Sequence, residues 1–156
     1  RSSDLVLGVV YAPYLNELYE ACKGKGAMLN GRSIHVSGKN DTQESVVSTG
    51  FPIDKDRNPD NNLDNLARIL PMVRGVRRQG SAAFDLCCVA AGILDGYWEF
   101  NLHLWDVCAG ILIVTEAGGT VRSFREDRNV SIVAGPPAIV EQLYPRLSDK
   151  PGKICL

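Results

Sequence analysis

Apolar and polar positions along this chain fall into short blocks that switch repeatedly between strand-like and helix-like spacing. The near-continuous apolar run Leu5-Val6-Leu7-Gly8-Val9-Val10-Tyr11 predicts a buried central strand. After a turn over residues 12–16, residues 17–22 alternate as its hairpin partner. Lys23-Gly24-Lys25-Gly26 and Asn30-Gly31 are tight-turn signals bracketing Ala27-Met28-Leu29, and Ser33-Ile34-His35-Val36-Ser37 is a further short alternating piece. Residues 45–50 predict another strand, which ends at Phe51-Pro52. The polar run 54–65 reads as a solvated loop leading into a surface helix marked by Leu63, Leu66, Ala67 and Leu70. A strand over 73–78, the turn Gly80-Ser81 and a helix over 82–91 come next, followed by a strand over 97–100. Ile111, Leu112, Val114 and Ala117 mark a buried helix that Gly118-Gly119 stops. Strands over 120–123 and 130–134 precede a last amphipathic helix opened by Pro137 and carrying Ile139, Val140, Leu143 and Tyr144.

This alternation predicts an α/β domain, and 156 residues with 45% hydrophobic content suit a single domain over 1–156 with a real core. A formal net charge of −1 argues against a nucleic-acid-binding face, which shows as a basic excess. The expected partner is a small molecule or another protein. Five cysteines, Cys22, Cys87, Cys88, Cys108 and Cys155, lack both the C-x-x-C pairs of zinc sites and a disulfide framework. They predict reduced thiols and a cytoplasmic location. With no long apolar run and no leader pattern, neither a membrane span nor a signal peptide is expected. The chain begins at Arg1 rather than Met and enters an apolar strand almost at once, as it would if the front of a larger protein were missing.

Candidate chemistry concentrates in residues 97–110, where a strand ends, a short loop follows and a helix begins. Asp106 stands at that helix start, able to cap free amides or to face a cation. Glu99 and His103 share the same corner. Gly80 and Ser81 mark a second helix start whose amides suit an anion or sugar hydroxyls, and Asp85 falls in that helix's first turn, where the helix dipole favours a carboxylate. The Gly-Lys turn at 23–26 invites a phosphate reading, but the P-loop spacing is absent and no helix follows, so a meander turn is favoured. The acids between 54 and 65 do not meet the EF-hand pattern. His35 reads as an edge residue, and Trp98 and Trp105 as core or site-wall aromatics.

These residues resemble the inositol monophosphatase family of magnesium-dependent, lithium-sensitive sugar phosphatases. Trp105-Asp106-Val107-Cys108-Ala109-Gly110 is similar to a family signature, and Thr115-Glu116-Ala117-Gly118-Gly119 extends it. Gly8-Val9-Val10-Tyr11, Lys23-Gly24-Lys25-Gly26-Ala27, Asn30-Gly31 and Gly80-Ser81-Ala82-Ala83 add to the likeness, which spans nearly the whole chain but only the family's C-terminal part. The resemblance implies the C-terminal portion of a layered αβαβα sugar-phosphatase fold, a mixed sheet flanked by helices, with the N-terminal metal-binding part absent.

It also implies roles. Asp106 would ligate a catalytic Mg²⁺ and touch the substrate, Glu99 would bond a sugar hydroxyl, Gly80, Ser81 and Ala82 would line the sugar, and His103 would lie near the phosphate. Arg77 and Arg78 precede the Gly80 segment as basic residues do in relatives, and one of them would serve only the fold. Phosphomonoester hydrolysis needs neutralised phosphoryl charge and an activated water, which clustered Mg²⁺ ions supply through oxygen ligands. The family's upstream glutamate and Asp-Pro-x-Asp-Gly-Thr segment, which complete that cluster, do not occur in this sequence. The parent protein is therefore expected to hydrolyse a small polyol phosphate, foremost inositol monophosphate, as a homodimer, and this chain alone to be inactive. Fructose-1,6-bisphosphate, a nucleotide 3'-phosphate, histidinol phosphate and the phosphate of NADP are alternative substrates within the family. A non-catalytic dimerisation or protein-interaction module is the alternative from another class.

Overall fold

The computed structural model describes residues 5–147. Four short strands, β1 (Leu7–Ala12), β2 (Glu17–Cys22), β3 (Gly26–Leu29) and β4 (Arg32–Ile34), form an antiparallel meander in chain order. Their connections are the Asn- and Gly-bearing turns read from the sequence, with Asn16, Gly24, Asn30 and Gly31 at positive φ. Asn30 closes the second hairpin by accepting from the Leu18 N–H at 2.8 Å and donating to the Asn16 carbonyl at 2.8 Å.

The second sheet holds β5 (Val46–Thr49), β6 (Gly75–Arg77), β7 (Gly96–Leu102), β8 (Thr120–Ser123) and β9 (Val130–Gly135) in the order β6-β5-β7-β9-β8. β5 runs parallel to β6 and β7, whereas β9 is antiparallel to β7 and β8. Helices α2 (Ala82–Ala90) and α3 (Leu104–Glu116) lie between the sheets; α1 (Leu63–Ile69) and α4 (Pro137–Leu143) cover the other face of the mixed sheet. The expected mixed sheet flanked by helices is thus present, with the antiparallel meander as a further layer.

Alternation along β7 sorts its side chains between two cores. Trp98 and Phe100 pack with Val47, Ile69, Val133, Ile139, Val140 and Leu143 under α1 and α4. Tyr97 faces the α2 and α3 side with Leu86, Val107 and Ile113. Glu99 shares Tyr97's face, so the strand's pleat turns it toward the start of the two central helices.

Two sequence expectations change. Among the described residues, the run at 5–11 is not a buried central strand: β1 stands at the sheet edge, with Leu7 60%, Val9 50% and Tyr11 55% exposed. Gly8 alone on it is tightly buried, because a side chain there would meet the Ala109 backbone oxygen of α3 at 3.0 Å. Nor is the 54–65 segment solvated throughout, since Asp60, Asn62 and Asn65 are buried. The Asn62 carboxamide donates to Thr49 Oγ1 at 2.9 Å and the Gly50 carbonyl at 2.6 Å, and accepts from the Trp98 indole at 3.0 Å. Asp60 is gripped by Arg125, through two bonds of 2.9 and 3.0 Å, and by Arg128 at 2.9 Å. These pairs desolvate a segment whose composition alone reads as exposed.

Candidate active site

The parallel trio β5, β6 and β7 sends its carboxyl ends to one side, where α/β sheets characteristically place ligands. A cavity of about 400 Å³ opens there, lined by Gly50 after β5, Arg78 and Gly80 after β6, Ser81, Ala82 and Ala83 at the start of α2, Glu99 and Leu102 of β7, and Trp105 and Asp106 of α3. Five of the residues singled out from sequence, Gly80, Ser81, Ala82, Glu99 and Asp106, therefore meet at one site. His103 lines an adjoining cavity of about 300 Å³ with residues 51–54, and Glu99, Leu102 and Asp106 belong to both.

Each side chain is held by local structure. Ser81 is the N-cap of α2, its hydroxyl accepting from the Phe84 N–H at 3.4 Å. His103, not Asp106, is the N-cap of α3; Asp106 lies in the first turn and accepts from the His103 N–H through Oδ2 at 2.9 Å. That bond steadies one oxygen, and Oδ1 has no donor among the described residues. The His103 and Trp105 rings stack at 4.3 Å, and Trp105, 75% exposed, forms a site wall, while Trp98 belongs to the core.

Glu99 accepts from the buried Tyr97 hydroxyl at 2.7 Å through Oε2. Burial pushes its carboxyl above the usual range, the Tyr97 bond pulls it down, and the nearby Asp85 charge raises it again. Gly50 makes room for this arrangement, since a Cβ there would overlap the Glu99 carboxylate. Tyr97's phenol is itself pushed up, first by burial and then by the charge of Glu99.

The sequence assigns no site role to Gly50, Arg78, Asp85 or Tyr97. Gly50 and Arg78 arrive through the pairing of β5 and β6 with β7, which no local pattern announces; Arg77 instead turns back, donating to the Val76 carbonyl at 3.2 Å. Asp85 is 1% exposed, and its Oδ1, like Ser48 Oγ, lacks a hydrogen-bond partner among the described residues. Burial raises its pKa to about 6, against the pull of the Arg78 charge. An acid whose folded pKa exceeds its unfolded value of about 3.9 loses stabilisation as pH climbs between the two. Asp85→Asn is accordingly expected to raise Tm by roughly 4–8 °C at pH 7, for about 2 kcal/mol, and to change it little at pH 4, as thermal melts at both pH values would show.

Among the described residues, no group of three or more His, Cys, Asp or Glu side chains is placed to hold a metal ion. Asp106 offers one carboxylate, and the described residues do not by themselves complete a magnesium site. No described helix is long and apolar enough to cross a membrane.

The model of the inositol monophosphatase family matches residues 2–150. The chain belongs to the inositol monophosphatase family. An inositol-1-monophosphatase of Synechocystis is 47% identical over 118 residues, 76% of this chain and 41% of that protein. The Nus factor SuhB of Pasteurella multocida is 40% identical over 152 residues, 92% of this chain and 57% of its own length. The solved inositol monophosphatase of Anabaena superposes with a TM-score of 0.84 at 38% identity, covering 90% of this chain and 57% of that one. The chain thus spans about half the length of the relatives it matches. Members of this family are generally metal-dependent. Its small signature residues have a packing reason here: Gly110 lets α3 press on α2, where a Cβ would meet Leu86 Cδ1 at 2.7 Å.

Proposed function

We propose that this chain, a single domain over 1–156, carries the polyol-recognising side and one metal carboxylate of a Mg²⁺-dependent phosphomonoesterase. The full-length protein acts on inositol monophosphate or a similar small polyol phosphate, and this chain alone is inactive. The observation that carries this reading is the convergence of Glu99, Asp106 and the small residues Gly80, Ser81 and Ala82 on one cavity.

Each group has a task its surroundings suit. Glu99, with Oε2 held by Tyr97, keeps Oε1 for a polyol hydroxyl. The small residues at the start of α2 admit a ring against the backbone, and Arg78 brings positive charge to a lining that holds two carboxylates. Asp106 keeps Oδ1 for the cation and substrate while its other oxygen is tied to the helix start. His103 borders the phosphate end from the adjoining cavity. Mg²⁺, held jointly with donors outside this chain, would neutralise phosphoryl charge and activate water. The free thiols of Cys22, Cys87, Cys88 and Cys108 support a reducing, cytoplasmic setting, and the full-length enzyme is proposed to be a homodimer.

The test is phosphate release from inositol 1-phosphate across a Mg²⁺ series, by the full-length protein and by this chain. Mg²⁺-dependent release by the former alone is expected. Activity in the isolated chain would refute the division of the site, and no release by the full-length protein would refute the phosphatase reading. In the full-length enzyme, Glu99→Gln is expected to raise KM about tenfold with kcat little changed, the mark of a lost ground-state contact that persists in the transition state.

The relatives named Nus factor SuhB favour a second reading, an interaction module that acts through protein contacts. Full-length protein indifferent to Mg²⁺ and inert toward phosphate esters would support it.

A further inference from the structure

The turn Lys23-Gly24-Lys25-Gly26 takes no part in the polyol cavity, yet it is built to hold an anion. It joins β2 to β3, with Gly24 at φ +74° and Gly26 at φ +85°, and these left-handed residues bring their two N–H groups onto a single target. The target is the Glu116 carboxylate: the Gly24 N–H donates to Oε1 and the Gly26 N–H to Oε2, each at 2.9 Å. One amide for each oxygen is a two-point grip.

Glu116 is the last residue of α3, where a carboxylate meets the negative end of the helix dipole and is disfavoured. Its place there calls for a compensating set of donors, and the turn is that set. The Gly24 and Gly26 amides, with help from Lys25's amide and Lys23's charge, hold the carboxyl below its ordinary range. The clasp joins segments about ninety residues apart, and α3 carries Asp106 at its opposite end.

We propose that the 23–26 turn is a carboxylate receptor, filled by Glu116 in the intact chain and open to a free small carboxylate when that side chain is removed. It lacks the P-loop's spacing and following helix, and its two converging amides match the two oxygens of a carboxylate.

The test uses this chain with formate as the probe and sodium chloride at equal ionic strength as the control. Glu116→Ala is expected to melt below wild type in chloride. Formate should raise its Tm saturably, by roughly 3–6 °C at ten times the Kd, and leave wild type unmoved. If the variant does not fold in chloride, folding induced by formate is the supporting result. Glu116→Gln keeps the side chain's shape but lacks the second acceptor, so the Gly24 and Gly26 amide resonances should shift from their wild-type positions and stay indifferent to formate. In wild type the same two resonances should titrate together below the ordinary carboxylate range. Equal formate responses in Glu116→Ala and wild type would overturn the proposal. So would a Glu116→Ala chain unfolded in both salts, or unchanged Gly24 and Gly26 resonances in Glu116→Gln.

Discussion

Gly50→Ala is expected to lower kcat/KM of the full-length enzyme on inositol 1-phosphate by about 100-fold, the scale on which an ångström of misplacement acts. The added methyl would overlap the carboxylate of Glu99, touching Cδ and both oxygens. The backbone has little freedom to yield. The Gly50 carbonyl accepts from Asn62 at 2.6 Å, and the preceding Thr49 hydroxyl donates to the Trp98 carbonyl at 2.7 Å. Glu99 must therefore rotate and give up its bond from Tyr97. Kinetics should show a loss larger than that of Glu99→Gln, because the displaced carboxylate also enters space the polyol needs. Combining Gly50→Ala with Glu99→Asp, one methylene shorter, is expected to recover part of the lost activity. Wild-type kinetics in Gly50→Ala would mean that Glu99 is not held where the polyol requires it.

The second large effect concerns folding. Asp60→Ala is expected to destabilise the chain by about 3 kcal/mol, a fall in Tm of roughly 6–12 °C, because removing one partner leaves a buried charge poorly compensated. The Arg125 side chain is only 2% exposed and sits between Asp60 and Asp127, over the Phe100 ring. Its pKa is raised, first by the Asp127 bonds and then by those of Asp60, so it stays charged. Arg128 would lose its short contact to Asp60 as well. Asp127→Ala should cost less, since the Asp127 side chain is 57% exposed and water can replace much of what it offers. Chemical denaturation of the two variants would rank them, and equal losses would contradict the assignment of Asp60 as the buried anchor.

What could be read from the sequence was what is local along the chain. Residues 99–106 form one continuous strand, loop and helix start, so their meeting in space follows from connectivity, and the turn at Gly80-Ser81 announces its own N-cap. Gly50 and Arg78 lie far from that corner in sequence and reach it only through parallel pairing, which depends on strand order. The same limit explains the two misread segments. The apolar run at 5–11 resembles a central strand, but whether such a run is buried depends on its neighbours, and among the described residues β1 has β2 on one side only. The polar run at 54–65 hides partners more than sixty residues away in Arg125 and Arg128, so its composition gave no sign of burial.

One irregularity in β7 bears on how this corner can change. Its pairing with β9 steps from Glu99 opposite Ile132 to Leu102 opposite Val130, so Phe100 and Asn101 together face Ser131 alone, and Asn101 takes the extra place at φ 63°. The surplus residue restores parity: Glu99 and Leu102 both line the cavity although an odd number of positions separates them. Deleting Asn101 would swing Leu102 to the opposite face and carry His103 and the first turn of α3 with it. Drift in chain length, harmless in a surface loop, is thereby forbidden between Glu99 and Asp106. In a library of single-residue deletions, this stretch should be the one where tolerated variants are missing.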